Sequence, residues 1–189
     1  MPSRRSFVSA LAFLLAAPSV AMAQSADPST AIGLRKEIIG QLADAEQKFV
    51  ALADAMPADK YGWRPAPGVR SVSEVYMHIV GANYMFPGMA GVKRKPDVAL
   101  ARDMETTVTD KVKVIDMLKK SFAFAKQGVM DVPDDQMGTA ADMFGMQSTN
   151  RGILMTMATH AHEHLGQSIA YARMVGVIPP WSRGAGGDH

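Results

Sequence analysis

The sequence predicts an all-α protein, a four-helix bundle with a long crossover between its second and third helices. Four stretches place apolar residues at the three- and four-residue steps of an amphipathic helix. We find no convincing strand pattern and no internal repeat. Helices of this kind bury their apolar faces against one another, and a bundle is the simplest arrangement. The chain has 189 residues, 48% of them hydrophobic, which predicts a single globular domain.

The first helix is predicted over residues 32–56, where Pro57 ends the periodic pattern. The segment that follows, "PADKYGWRPAPGVR", holds three prolines and two glycines, so we expect an ordered loop there. Ser71 and Glu74 then have the spacing of a capping box, in which each side chain bonds a free backbone amide of a new helix. This second helix should run to about Phe86, before Pro87.

The second half of the chain predicts two further helices. Residues 87–107 lack a strong period and form the crossover, and residues 108–126 show helical spacing again. Residues 127–147 contain Pro133 and several aspartates and glycines, which predicts an irregular link. The last helix should begin near Ser148, Thr149 or Asn150 and end at about residue 175, before Gly176.

The first 23 residues have the features of an export signal. Arg4 and Arg5 precede an apolar stretch at residues 7–17, and Ala21-Met22-Ala23 is a small-residue cleavage pattern. About 11 apolar residues are too few for a membrane anchor, which needs roughly 20. We therefore expect residues 1–23 to be removed, residues 24–181 to form the bundle, and residues 182–189 to form a flexible tail, with the mature protein periplasmic or secreted and free of the membrane. The adjacent arginines fit either a twin-arginine signal or an ordinary secretory one.

The net charge and the absence of cysteine limit the classes of ligand and partner that the protein is expected to bind. Removing Arg4 and Arg5 leaves 18 of the 20 basic side chains against 18 acidic ones, and no long basic stripe remains, so nucleic acid is not an expected partner. A small-molecule substrate is expected instead, and pairing of two copies through an exposed helix face stays an open alternative. Because the chain has no cysteine, any metal ion must be held by nitrogen or oxygen.

The stretch "ATHAHEHLGQ" holds three of the five histidines. On a helix, His160 and His164 lie about 40° and 6 Å apart on one face, whereas His162 points about 200° away. His78 is the other histidine in a predicted helix, and a site of His78, His160 and His164 requires only that the second and fourth helices pack face to face. By spacing alone, a surface or hydrogen-bonded histidine pair remains an alternative, and the metalloprotease pattern His-Glu-x-x-His is absent.

Two stretches show a resemblance to a known family: "WRPAPGVRSVSEVYMHIV" at residues 63–80 and "HAHEHLGQSIAYARMVGVIPP" at residues 160–180. In them a Trp-x-Pro loop precedes a helix with one histidine, and the last helix carries His-x-x-x-His shortly before Gly-Gln. In these features the mature chain resembles the DinB-like (DinB/YfiT-like) four-helix metalloproteins. The resemblance implies that His78, His160 and His164 are ligands of a divalent metal ion, usually zinc or nickel.

The resemblance also implies possible activities, since characterised members include thiol-dependent S-transferases and isomerases. Two departures bear on this. Leu165 stands where the family often has an arginine, and the export signal does not suit low-molecular-weight thiols, which are mainly cytoplasmic.

Three functions are compatible with the sequence. The first is a metal-dependent hydrolase or S-transferase, in which three imidazoles leave room on the ion for water or substrate, and Gln167 and Tyr171 border the site. Glu74 and Glu163 are not squarely on the ligand face, so we expect them to be solvated surface residues. The second function is periplasmic binding of copper or zinc, with methionines such as Met146 and Met157 as added ligands. The third is a structural site without catalysis.

Overall fold

The computed structural model describes residues 28–96 and 101–183, with side chains from residue 33. The predicted all-α four-helix bundle is confirmed. Its four long helices are α1 (Pro28–Ala55), α2 (Val72–Met89), α4 (Lys111–Asp131) and α5 (Asn150–Met174), and the crossover holds a one-turn helix, α3 (Met104–Thr107). A small hairpin of β1 (Ala140–Met143) and β2 (Met146–Thr149) precedes α5.

The helices α2 and α5 pack side by side, and this contact brings the predicted site together. Each of α1 and α2 packs against both α4 and α5, so α1 and α2 lie diagonally opposite each other. Aromatic side chains fill the centre: the Phe49 ring lies 6.1 Å from that of Tyr76 and 5.9 Å from that of Phe122. Val75 and Val80 of α2 are fully buried, so α2 turns its apolar face toward the core, as its sequence pattern predicts.

The predicted end of the second helix at Phe86 was wrong, because α2 continues through Pro87 to Met89. Proline lacks an amide hydrogen, but it removes only one helical bond, and the amide of Ala90 still donates to the carbonyl of Phe86 at 3.0 Å. Gly128 of α4 accommodates the ring: a Cβ atom at Gly128 would lie 2.7 Å from the Cβ of Pro87. The proline ring therefore fits inside α2 because α4 presents a glycine, which has no side chain, at the point of contact.

The other helix ends follow their capping residues. The capping box is present, since Ser71 Oγ accepts from the amide of Glu74 while Glu74 Oε2 accepts from the amide of Ser71. Asp110 accepts from the amide of Lys113, so α4 starts at Lys111 rather than at residue 108, and it continues past the predicted end at residue 126 to Asp131. Thr149 caps α5, as one of the three candidates predicted.

The hairpin contradicts the expectation that the chain lacks strands and that residues 127–147 are irregular. Its two-residue turn places Phe144 (φ 56°) and Gly145 (φ 83°) in the left-handed region, and the amide of Gly145 donates to Asp142 Oδ1 at 3.1 Å. Such turns are signalled by Asn-Gly or Asp-Gly, and a Phe-Gly pair carries no comparable signal. Four-residue strands are also too short to display an alternating pattern.

The ends of the chain lie partly outside the described residues. The predicted signal at residues 1–23 is not described, and neither is most of the predicted tail, including His189. The first tail residue, Ser182, closes a short 3-10 turn at Pro180–Ser182. Within the described ranges, no helix combines the length and apolar character needed to cross a bilayer.

Candidate metal centre

Three histidines from α2 and α5 meet at one point on the bundle. His78, His160 and His164 each offer a ring nitrogen, and these atoms all lie within 4.8 Å of one another. The Nε2 atoms of His78 and His160 are 3.2 Å apart, although 82 positions separate the two residues in the chain. The structure thus assembles the trio that the sequence singled out, and the group could hold a metal ion.

The spacing of the nitrogens fits coordination. Two nitrogens at about 2.0–2.1 Å from a tetrahedral ion are about 3.3 Å from each other, close to the observed separation. The Nδ1 atom of His160 is buried and has no hydrogen-bond partner among the described residues, so no described protein group fixes which ring nitrogen of His160 carries the proton.

The electrostatic environment lowers the pKa of His160 and of His78, which favours the neutral imidazole that a metal ligand must be. Burial, reinforced by the neighbouring His164 and His78, lowers the pKa of His160 to about 4. Burial likewise lowers the pKa of His78, as do Arg70 and His164, against the opposing effect of Glu105. A neutral imidazole retains a lone pair for a cation, so the lowered pKa values of His78 and His160 favour metal binding over protonation at these two rings.

Two polar side chains orient the rings from outside. Glu105 Oε2 lies 3.3 Å from His78 Nδ1, and Gln167 Oε1 lies 2.7 Å from His164 Nδ1. Gln167 in turn donates from Nε2 to the hydroxyl of Tyr171 at 2.8 Å. Hydrogen bonds of this kind fix the tautomer and direction of a ligating histidine, so that Nε2 of His78 and of His164 is left for the ion.

Sequence reasoning missed Glu105 and its partner Arg70, whose Nε donates to Glu105 Oε1 at 2.7 Å. Glu105 belongs to the one-turn α3 in the crossover, where the sequence shows no strong period. No spacing rule connects this position with His78. The crossover holds three acidic residues, Asp97, Asp103 and Glu105, and nothing in the sequence distinguishes Glu105 from the other two.

The remaining candidate residues are not part of the histidine cluster. His162 Nε2 is 3.2 Å from the carbonyl oxygen of Gln41, as expected for a residue on the opposite side of α5. Glu163 is exposed, and Glu74 is engaged by Arg64 and by its capping bond, which lower its pKa against the effect of burial. Glu163 is close enough to His160 for its charge to oppose the lowering of the pKa of His160.

Two apolar positions raised by the sequence are core residues. Leu165, where an arginine is frequent in the resembled family, is 4% exposed and packs in the core. Met157 is 1% exposed and fills the same core, which disfavours it as a copper ligand, whereas Met146 lies on the surface.

Comparison with known proteins agrees with the sequence and the fold. A family model described as the DinB superfamily matches residues 41–168. The uncharacterized protein YjoA of Bacillus subtilis (strain 168) is 24% identical over 129 residues, which cover 66% of this chain and 80% of YjoA.

Two solved structures share the fold. A DinB-like protein from Bacillus cereus ATCC 10987 superposes with a TM-score of 0.66 at 21% identity, covering 77% of this chain and 95% of that one. The structure of the DinB-like protein YjoA from Bacillus subtilis gives a TM-score of 0.58 at 21% identity, covering 74% of this chain and 92% of that one. The family match covers more than half of the chain and includes all three clustered histidines, so this chain belongs to the DinB superfamily.

Proposed function

We propose that the protein is an exported metal-dependent enzyme of the hydrolase or transferase class, with His78, His160 and His164 as its metal ligands. The observation that carries the proposal is the meeting of three imidazoles within 4.8 Å at the junction of α2 and α5. A bound zinc or nickel ion would supply Lewis acidity there, activating a water, a thiol or a carbonyl group at neutral pH. Nitrogen ligands and the absence of cysteine favour these borderline metals.

Three protein ligands support catalysis over a purely structural role. Structural zinc sites are closed by four protein ligands, whereas catalytic sites keep a position for water or substrate. Glu105 does not act as a fourth ligand. Its carboxylate binds Arg70 and contacts Nδ1 of His78, the ring nitrogen that points away from His160. The cluster is also accessible, since the His78 side chain is 25% exposed and the pocket beside it is lined by His78 and His160.

The decisive experiment is elemental analysis of the mature protein purified without added metal, with His78→Ala, His160→Ala and His164→Ala examined beside it. We expect one metal ion per chain, lost in these three variants. His162→Ala is the matched control on the same helix and should retain the ion. Retention in all four variants would refute the proposed ligands.

Catalysis itself requires a second measurement. The metal-loaded protein should turn over activated esters, phosphoesters or thiol acceptors, and His164→Ala should abolish this turnover together with metal content. If the loaded protein is inert across these classes and chelation only lowers the melting temperature, the alternative is favoured: a periplasmic metal-binding or structural protein without catalysis.

Export is part of the same proposal. Cleavage after Ala23 would release a chain that starts four residues before α1, so it would remove no described element. Mass spectrometry of the mature protein should show Gln24 at its N-terminus. Replacing both Arg4 and Arg5 by lysine should block export if the route is the twin-arginine one and should spare it if the route is general secretion.

A further inference from the structure

A pocket of about 490 Å³ adjoins the three histidines. His78 and His160 form part of its lining, and Arg102 and Glu105 are its charged residues. The rest of the lining is largely apolar, and its volume lies within the range of about 300–1,000 Å³ typical of small-molecule sites. Methionine is unusually frequent in the lining: Met77, Met85, Met104, Met143 and Met146.

Phe144 at the tip of the hairpin is a strained residue that faces this pocket. Its φ of 56° lies in the left-handed region, which disfavours an aromatic residue and favours asparagine or glycine. The side chain gains little from burial, since it remains 65% exposed with its ring 6.4 Å from that of Phe86. Strain combined with exposure at the edge of a pocket is typical of a residue kept for a ligand.

Two other lining residues are apolar and exposed. Met85 is 42% exposed and Met146 is 57% exposed, so with Phe144 they form an apolar rim around the mouth of the pocket. Such exposure is unfavourable unless something covers it. Methionine side chains are flexible and polarizable, so a methionine lining suits apolar molecules of varied shape.

The charges on the pocket lining favour an anionic group on the ligand. Three neutral imidazoles would leave the full positive charge of a divalent ion uncompensated. Arg102 adds a second positive charge to the lining and forms no ion pair within the described ranges. The carboxylate of Glu105 is already taken by Arg70 and His78.

We infer that the pocket binds a small molecule with an apolar acyl or aryl body and one anionic oxygen or sulfur donor. The donor reaches the metal ion held by the histidines, and the apolar body lies against the methionines and Phe144. This inference rests on the proposed function, because the donor needs the metal. It adds the substrate class, which the three histidines alone do not define.

The test uses a series of n-alkyl hydroxamates, from acetohydroxamate to octanohydroxamate, titrated calorimetrically into the zinc-loaded mature protein. All members present the same anionic oxygen donor and differ only in chain length. Burial of each added methylene in an apolar pocket should tighten binding by roughly twofold to fourfold. A Kd that is the same for every chain length overturns the inference while leaving the proposed metal site intact.

Phe144→Asn is the informative variant, because asparagine suits the left-handed turn and removes the apolar ring. We expect a raised melting temperature, unchanged zinc content, and octanohydroxamate binding weakened on the order of fivefold with acetohydroxamate unaffected. Met174→Gln is the matched control, since Met174 is 66% exposed at the far end of α5, and it should leave the whole series unchanged.

The remaining outcomes are also decisive. Absence of zinc uptake overturns the proposed function and this inference together. Equal affinities across the series, combined with a wild-type dimer that dissociates in Phe144→Asn, would overturn the inference in favour of self-association through the apolar rim. Weakening of acetohydroxamate and octanohydroxamate by the same factor in Phe144→Asn would also overturn it, since the ring would then act on the donor rather than on the apolar body.

Discussion

Glu105 holds a carboxylate oxygen 3.3 Å from Nδ1 of His78, the nitrogen on the far side of the ring from His160. The contact joins the crossover to α2 and is itself fixed by Arg70, which binds the other carboxylate oxygen. A histidine directed in this way is a better metal ligand than a freely rotating one.

Glu105→Gln should therefore weaken metal binding by about 10–100-fold while leaving the fold intact. The amide retains hydrogen bonding to one partner but loses the charge that stabilises the ligating ring. Competition with a chromophoric zinc chelator measures the change in Kd. Glu37→Gln, which changes an exposed acid on α1, should bind zinc as the wild type does, and a Glu105→Gln variant of unaltered affinity would refute the orienting role.

Gln167 should mainly affect the rate at which the metal ion dissociates. Gln167→Ala removes the acceptor at 2.7 Å from His164 Nδ1, so the ring is free to rotate and zinc should dissociate faster, with affinity lowered roughly 10-fold or more. Stopped-flow chelation gives the dissociation rate. Tyr171→Phe keeps the amide in contact with His164 and should cause a smaller change. Equal rates in wild type and Gln167→Ala would contradict this prediction.

The metal-free protein should lose stability on acidification through its histidine cluster. In the folded state the pKa of His160 is lowered to about 4, whereas the unfolded chain keeps the ordinary value near 6.5. Between these values the unfolded state binds more protons, so stability is full above about pH 6.5 and decreases as the pH falls toward 4. Thermal melts of the metal-free protein between pH 7.5 and pH 4.5 measure this decrease.

A His160→Asn variant should show a shallower decrease in melting temperature over the same pH range, because its side chain no longer titrates. His162→Asn is the control and should follow the wild-type curve. If wild type and His160→Asn have parallel curves, protonation of His160 is not what destabilises the metal-free protein in acid.

Gly128→Ala should destabilise the bundle by about 1–3 kcal/mol. The added methyl would lie 2.7 Å from Cβ of Pro87, and the rigid proline ring on α2 cannot move aside without shifting the helix. Gly40→Ala on α1 is the matched control: its new Cβ has nothing within 4 Å, so better helix propensity should stabilise the protein by about 0.5–1 kcal/mol. Urea unfolding measures the free energy of unfolding of both variants. If Gly128→Ala leaves this free energy unchanged, the contact between α2 and α4 is loosely packed.

The parts of the structure that were predictable from sequence are those set by local rules. Helical periodicity located the four long helices, and the spacing of His160 and His164 placed both on one side of α5. The capping box at Ser71 marked the start of α2 to the residue. Each of these signals depends only on residues within a few positions of one another.

The parts that escaped prediction depend on distant contacts. Pro87 inside α2 is tolerated because of Gly128 on another helix, and Glu105 reaches His78 across a crossover without a period. The hairpin turn uses Phe144 where a turn-forming residue is expected. In each case the residue's environment in the fold overrides its local preference.

The separation of the ligands along the chain has a consequence for how the metal is chosen. Because His78 and His160 are 82 positions apart, the unfolded chain holds no preformed site, so loading follows folding. A chain exported after folding carries whichever ion the cytoplasm provides, while a chain threaded across the membrane unfolded takes its ion from outside. Under the proposed export, the identity of the bound metal therefore depends on the secretion route as well as on the imidazole ligands.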